Sequence, residues 1–313
     1  MNKRRRAVID VGTNSVKLLV GDVADGLVYP VEERSDQTRL GAGFYESHIL
    51  QPVPIARTAS AVAKFVAMAR DQEAESIRVI ATSAPRDAKN ADELLDAVRR
   101  AAGLRMEIIT GDQEAEWVFA GVTTDPRLHG RRLLILDVGG GSTEFIVGEQ
   151  DRYSFRESFA VGSVRLLELL RPHDPPSVSD VAASRDWLKK FFNFKVIPRM
   201  AGPLGESPGR STQLVGTGGT TTILARMELK VDRFDREKIE GTTLSRETVL
   251  DYMFRLWSLS LAERRTIPGL PGNRADVILM GVAIYETVME QFDFPHLYVS
   301  MRGLRHGALL QNS

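Results

Sequence analysis

DVGTNSVKLLVGD, from Asp10 to Asp22, and DVGGGSTEFIVGE, from Asp137 to Glu149, are two copies of one phrase. Aligned without gaps they share six of thirteen positions, including Asp-Val-Gly and the Ser five residues after the Asp. Each follows an apolar run, Ala7-Val8-Ile9 in the first and Leu133–Leu136 in the second. An apolar run, a short polar or Gly-rich turn and a second apolar run read as strand, tight turn, strand. Val16, Leu18 and Val20 alternate onto one face, as a strand requires. A P-loop would lead into a helix and carry Gly-Lys-Ser/Thr; neither copy does. Two copies of one turn point to two lobes facing each other across a cleft, and to chemistry on a phosphoryl group.

Outward from these turns the chain alternates strands and helices, an α/β pattern. Residues 52–73 read as a helix with Val62, Phe65, Val66 and Ala69 on one face. Residues 77–82 read as a buried strand. Asn90 with Glu93 resembles a capping box that opens a helix to about Ala102, ended by Gly103. Residues 105–110 read as a strand and Asp112 to about Val122 as a helix. Residues 171–180 hold three prolines and turn into a helix near Ser179. The Gly-, Pro- and Ser-rich stretch 201–212 reads as a mobile surface loop. Residues 213–227 return to strand, Gly-rich turn and helix. Residues 275–292 read as a long amphipathic helix, 297–300 as a strand, and Gly303 onward as a short helix.

Composition narrows the class. The 313 residues are 43% hydrophobic and 26% charged, enough to bury a core without staples. There is no cysteine, so disulfides and thiolate metal sites are excluded, and the five histidines show no ligand spacing. Forty-one basic and 41 acidic residues cancel, so no overall field favours nucleic acid. Lys3-Arg4-Arg5-Arg6 reads as a solvated tail before the first strand, or as a lure for a polyanion. No apolar run of signal-peptide length follows it and none is long enough to span a bilayer, which leads us to expect a cytoplasmic protein without a membrane partner.

The turns suit phosphate. Glycine lets a backbone fold tightly and lets its N–H groups approach an anion with no side chain between. Gly12, Thr13, Asn14 and Ser15 form one such row, and Gly139, Gly140, Gly141, Ser142 and Thr143 a second. Gly216, Thr217, Gly218, Gly219 and Thr220 form a third, leading into a helix N-terminus that favours negative charge. Asp10 and Asp137 are hard oxygen groups at strand ends, suited to Mg²⁺ or another divalent cation bridged to phosphate oxygens. Any one Gly-rich turn is more often structural; the repeated frame and the third row together favour phosphate.

The three rows resemble the phosphate-1, phosphate-2 and adenosine motifs of the actin-like ATPase superfamily. Within it the chain closely resembles the exopolyphosphatase/guanosine pentaphosphate phosphatase (Ppx/GppA) family, over nearly its whole length. The discriminating segments are RLGAGF (39–44), ATSAPRDAKNADELL (81–95), ITGDQEAEWVFAGV (109–122), VGTGGTTTILA (215–225), RADVILMGVAIYE (274–286) and VSMRGLRHGAL (299–309). ATSAxRDAxN followed by ITGxxEA is not a sugar-kinase or chaperone feature.

The resemblance implies two actin-like (ribonuclease H-like) α/β lobes with an interdomain catalytic cleft: residues 1–124, residues 125–300, and a segment 301–313 packing back on the first lobe. It implies that Glu114 is the catalytic base, where the residues alone would favour a solvent-facing glutamate stabilising a helix N-terminus. Arg86 matches an arginine used near the reacting phosphoryl group, although Pro85 stands before it where an aliphatic residue is expected. Metal and phosphate roles fall to Asp10, Asn14, Ser15, Asp137, Gly139, Ser142 and Glu144, with Glu144 reaching the metal through water. Ser83 is a further phosphate donor or a cap; Arg302 and Arg305 line the cleft or fix a helix end. The implied reaction is Mg²⁺-assisted hydrolysis of the terminal phosphoanhydride of inorganic polyphosphate, or else of guanosine pentaphosphate, in a homodimer. Longer family members carry a further C-terminal domain, so a chain of this length is expected to act on shorter polymers or less processively. A nucleotide-sensing regulator without turnover is the alternative of another class.

Overall fold

The computed structural model describes residues 3–205 and 208–311. The chain divides into two compact units, Met1–Asp125 with Arg302–Ser313, and Pro126–Met301. No helix among the described residues is long and apolar enough to cross a membrane.

The first unit is built on β1 (Arg4–Val11), β2 (Val16–Ala24), β3 (Leu27–Asp36), β4 (Ser76–Ala81) and β5 (Met106–Ile108), in the spatial order β3-β2-β1-β4-β5. β1–β2 and β2–β3 are antiparallel hairpins, and β1, β4 and β5 run parallel. Ala7, Ile9, Val11, Val16, Leu18 and Val20 face one core with α1 (Pro52–Asp71) and α3 (Ala91–Ala102). Between β4 and α3 lies the short α2 (Ser83–Asp87). Val8 and Leu19 are buried as well, so β2 is covered on both faces, not on the single face that its alternation suggests. The second cover is α4 (Gly111–Val122) with the last helix, Leu304–Leu310. Two glycines let these helices touch: a Cβ on Gly307 would lie 1.7 Å from the Trp117 carbonyl oxygen, and one on Gly121 would lie 2.3 Å from that of Gly303. Arg305 Nη1 donates to the Leu18 carbonyl at 2.8 Å, and Arg302 Nη1 to that of Thr124 at 2.8 Å, so both arginines anchor the returning chain.

Two local expectations change here. Arg4–Arg6 belong to β1 rather than to a tail: Arg5 Nε donates to Asp22 Oδ1 at 2.8 Å, and Arg6 Nη1 to the carbonyls of Leu309 and Gln311 at 3.0 Å each. Asn90 does not cap α3 through its side chain. It pairs instead with one backbone residue, accepting from the Leu50 N–H at 2.8 Å and donating to the Leu50 carbonyl at 3.0 Å.

The second unit repeats the plan. β6 (Arg132–Val138), β7 (Thr143–Glu149), β8 (Arg152–Phe159), β9 (Gln213–Thr217), β10 (Thr243–Ser245) and β11 (His296–Val299) stand in the order β10-β11-β9-β6-β7-β8. Apart from β10, this is the first sheet's topology: a meander of three, then two parallel strands beside the first. Helices α5 (Ser163–Leu170), α6 (Val178–Phe191), α7 (Ile197–Leu204), α8 (Pro208–Ser211), α9 (Gly218–Leu229), α10 (Arg236–Ile239), α11 (Arg246–Ser258), α12 (Leu261–Arg264) and α13 (Ile278–Gln291) complete it. Every residue of α13 from Ile278 to Met289 is buried, so the helix is a core element and not amphipathic. The expected loop at 201–212 is largely helical: α7 continues to Leu204 and α8 follows, while Glu206 and Ser207 lie outside the described residues.

Candidate active site

The chemistry of the first unit gathers at the carboxyl ends of β1, β4 and β5, the edge from which an open parallel sheet presents its connecting loops and helix N-termini. The turn Gly12-Thr13-Asn14-Ser15 joins β1 to β2 and is closed by the Gly12 N–H donating to the Ser15 carbonyl at 3.0 Å. Segment 39–41 lies against it: the Gly41 N–H donates to the Thr13 carbonyl at 2.7 Å, and the Arg39 N–H to that of Asn14 at 3.0 Å. In a trans peptide the C=O and the following N–H point opposite ways. With the Thr13 carbonyl held, the Asn14 N–H faces away from the segment, and it has no protein acceptor among the described residues.

Asp10 precedes this turn by two residues, opposite Lys17 on β2. It is buried and its Oδ1 has no partner. Burial pushes its carboxyl above the usual range, against the pull of Lys17 and Arg305. The buried hydroxyls of Thr13 and Ser83 are likewise unpartnered.

Glu114 occupies the first turn of α4. Thr110 caps that helix, its hydroxyl accepting from the Gln113 N–H at 3.1 Å and its carbonyl from the Glu114 N–H at 2.9 Å. The Glu114 side chain is buried at 7% exposure, not solvent-facing, and its Oε2 accepts from Arg86 Nη1 at 3.1 Å. The same Nη1 donates to the Ile109 carbonyl at 3.1 Å. Pro85 sits in the first turn of α2, where a missing N–H leaves no helix bond unmade, and Arg86 still reaches Glu114.

The second unit builds its turn with different partners. The Gly139 N–H donates to the Ser142 carbonyl at 3.0 Å, as Gly12 does to Ser15. Here the N-terminus of α5 consumes the carbonyls: the Ser163 N–H donates to Gly139, those of Val164 and Arg165 to Gly140, and Arg165 Nε to Gly141. The amides of Gly140, Gly141 and Ser142 therefore face the other way and donate to no protein acceptor among the described residues. Three aligned amides without acceptors form an anion nest. Glu144 lies opposite Asp137 on the hairpin. It is 1% exposed, and its Oε1 accepts from the hydroxyls of Ser142 at 2.9 Å and Ser158 at 2.7 Å. Thr143 is buried, its hydroxyl donating to the Val161 carbonyl.

The third row is divided between packing and presentation. Gly216 lies within β9, where a Cβ would meet Thr221, Leu297 and Tyr285 within 2.9 Å. Thr217 is buried, and Thr220 is buried with its hydroxyl donating to the Val138 carbonyl. Gly218 and Gly219 open α9 directly, without an intervening turn. Gly218 has φ +87°, and a Cβ there would come 2.2 Å from Asp137 Oδ1. Only glycine lets the helix start against that carboxylate.

Among the described residues no group of three or more His, Cys, Asp or Glu side chains is gathered to hold a metal ion. The unpartnered Oδ1 of Asp10 fits Mg²⁺, which is commonly held by one or two carboxylates with water and phosphate oxygens completing its shell. Composition and periodicity did not mark Gln37, Ser158 and Arg165, which shape the turns; Ser158 and Arg165 are legible only once the third strand and its following helix are placed.

The sequence model of the Ppx/GppA phosphatase family matches residues 19–313. The chain belongs to that family. Exopolyphosphatase 2 of Mycobacterium tuberculosis is 30% identical over 297 residues, which cover 92% of this chain and 90% of that protein. The guanosine-5'-triphosphate,3'-diphosphate pyrophosphatase of Vibrio campbellii is 27% identical over 312 residues, 97% of this chain and 58% of that one. The crystal structure of the Aquifex aeolicus Ppx/GppA family member aligns with a TM-score of 0.79 at 30% identity, covering 99% of this chain and 97% of that one. The resemblance carried by RLGAGF, ATSAPRDAKN and ITGDQEA thus holds at the level of the family. This Ppx/GppA chain is accordingly a hydrolase with the two-lobe actin-like α/β fold.

Proposed function

We propose that the chain is a Mg²⁺-dependent exopolyphosphatase that hydrolyses the terminal phosphoanhydride of inorganic polyphosphate and releases orthophosphate. The observation that carries the reading is the buried Glu114 carboxylate at a helix N-terminus, held by Arg86. It lies on the edge of the sheet that also bears the donor-lined turn and the unpartnered Asp10 carboxylate. The turn amides are offered to phosphate oxygens. Glu114 takes a proton from water, whose oxygen attacks the terminal phosphorus in line as the P–O bond to the shortened chain breaks. Arg86 holds the carboxylate, and its remaining N–H groups are suited to the equatorial oxygens as charge builds on them. Asp10 in the first unit and Asp137 in the second are each suited to Mg²⁺, which when bound would offset phosphate charge. Glu144, its Oε1 taken by two hydroxyls, is suited to orienting Ser142 and would assist a metal through water.

A second reading, hydrolysis of guanosine pentaphosphate to the tetraphosphate, is favoured by the V. campbellii relative. Both substrates end in a phosphoanhydride, which the turns would engage alike. The deciding experiment measures orthophosphate release from short polyphosphate, long polyphosphate and guanosine pentaphosphate side by side with Mg²⁺. Release from polyphosphate that outpaces the nucleotide supports the first reading and the reverse order the second. No release from any of them overturns both.

A further inference from the structure

We propose that Gln37 is a positioning residue that fixes the side-chain amide of Asn14 with its NH₂ edge toward the bound phosphate, an inference resting on the phosphate role of turn 12–15 given above. Gln37 Nε2 donates to Asn14 Oδ1 at 3.1 Å. Asn14 is 7% exposed, and its Nδ2 donates to no protein group among the described residues. The acceptor edge of the carboxamide is consumed and the donor edge left open.

This bond belongs to a larger arrangement. Gln37, Arg39 and Gly41 follow one another just after β3, and each removes one acceptor from the turn: Asn14 Oδ1, the Asn14 carbonyl and the Thr13 carbonyl. Between them the chain bends through Arg39 at φ +52°, a left-handed conformation disfavoured for a residue bearing a Cβ. Three of the acceptors of the turn are thereby taken, and the Asn14 N–H and Nδ2 are left as open donors.

The two edges of a carboxamide are almost the same shape but opposite in polarity. Without Gln37, the Asn14 amide can turn its Oδ1 to a phosphate oxygen, where lone pair meets lone pair. The second unit has no such requirement: glycine occupies the corresponding place, Gly141, so no side-chain amide there has to be oriented.

The test is a double-mutant cycle with tripolyphosphate and Mg²⁺, read as KM and kcat and, independently of turnover, as Kd by calorimetry. Gln37→Met keeps the length of the side chain and removes the donor. It is expected to raise KM and Kd about tenfold, the scale of one hydrogen bond to a charged ligand, with kcat and Tm little changed. Asn14→Ala is expected to weaken binding by at least as much. In the Asn14→Ala background Gln37→Met should then cost nothing further. Multiplying effects would mean that Gln37 acts on its own and would overturn the proposal. So would a fall in Tm with KM and Kd unmoved, or absence of tripolyphosphate binding by the wild type. Coupled binding without turnover would retain Gln37's role and sink the hydrolase reading; turnover with uncoupled variants would do the reverse.

Discussion

Glu114 combines three influences on one carboxylate: burial, the start of a helix and a guanidinium at 3.1 Å. Glu114→Gln keeps an acceptor for Arg86 and removes the base. The expected outcome is a fall in kcat of about 10²–10⁴-fold, the usual worth of a positioned base, with circular dichroism and Tm near wild type. A variant as active as the wild type would remove Glu114 from the chemistry. Gly218 offers a prediction of another kind. Alanine there must adopt φ near +87° and drive its Cβ into Asp137. Gly218→Ala is expected to cost about 1–3 kcal/mol in urea unfolding and to displace the Asp137 carboxylate, so that more Mg²⁺ is needed for half-maximal turnover. An unchanged Mg²⁺ requirement would separate Asp137 from the metal.

At the scale of elements, α6 opens with a reciprocal capping box. The Ser177 hydroxyl accepts from the Asp180 N–H, and Asp180 Oδ2 accepts from the Ser177 N–H and hydroxyl. These bonds, led by the Ser177 N–H and hydroxyl and aided by His173, hold the Asp180 carboxyl well below its ordinary range. A depressed carboxyl stabilises the fold above its unfolded pKa, and that contribution disappears as pH falls through the folded one. Asp180→Asn is therefore expected to cost stability at pH 7, to cost progressively less as the pH drops below about 4, and to converge on wild type in strong acid; urea midpoints against pH check this. The box is not legible from the usual signature, because Asp180 stands where that pattern carries Glu or Gln. β3 and β8 escaped for a deeper reason. Both are edge strands, mostly exposed or half-buried, with charges where a central strand would alternate. The hairpins β1–β2 and β6–β7 were legible because their strands carry the apolar run that buries them. α13 was legible as a helix but misread as amphipathic, since burial on every side erases the stripe that periodicity detects. In the site, the donor-rich turns were legible from glycine and hydroxyl content. Their orientation was not, because segment 39–41 and residues 163–165 set it from a distance in sequence.

At the scale of the whole molecule, one compact unit is made of two stretches of chain, residues up to Asp125 and those from Arg302 onward. The last helix closes the face of the first sheet that carries Val8, Asp10 and Leu19, and it does so through glycine contacts with α4 that leave no room for a methyl group. Gly307→Ala is expected to destabilise the first unit by about 1–3 kcal/mol, the usual cost of overpacking, and to leave the second unit's stability unchanged. Hydrogen exchange resolved by segment distinguishes the two: protection should fall in β1, β2 and α4 but not in β6, β7 or α13, and a uniform loss would contradict it. The discontinuity also orders events on the ribosome. Residues 3–125 emerge long before residues 302–310, with all of Pro126–Met301 translated in between. The later-encoded unit can therefore finish folding while the earlier one waits with an apolar face uncovered, a state that invites chaperones. β1 gains its final cover only when synthesis has passed Leu310, so a prematurely terminated chain would lack a finished first unit.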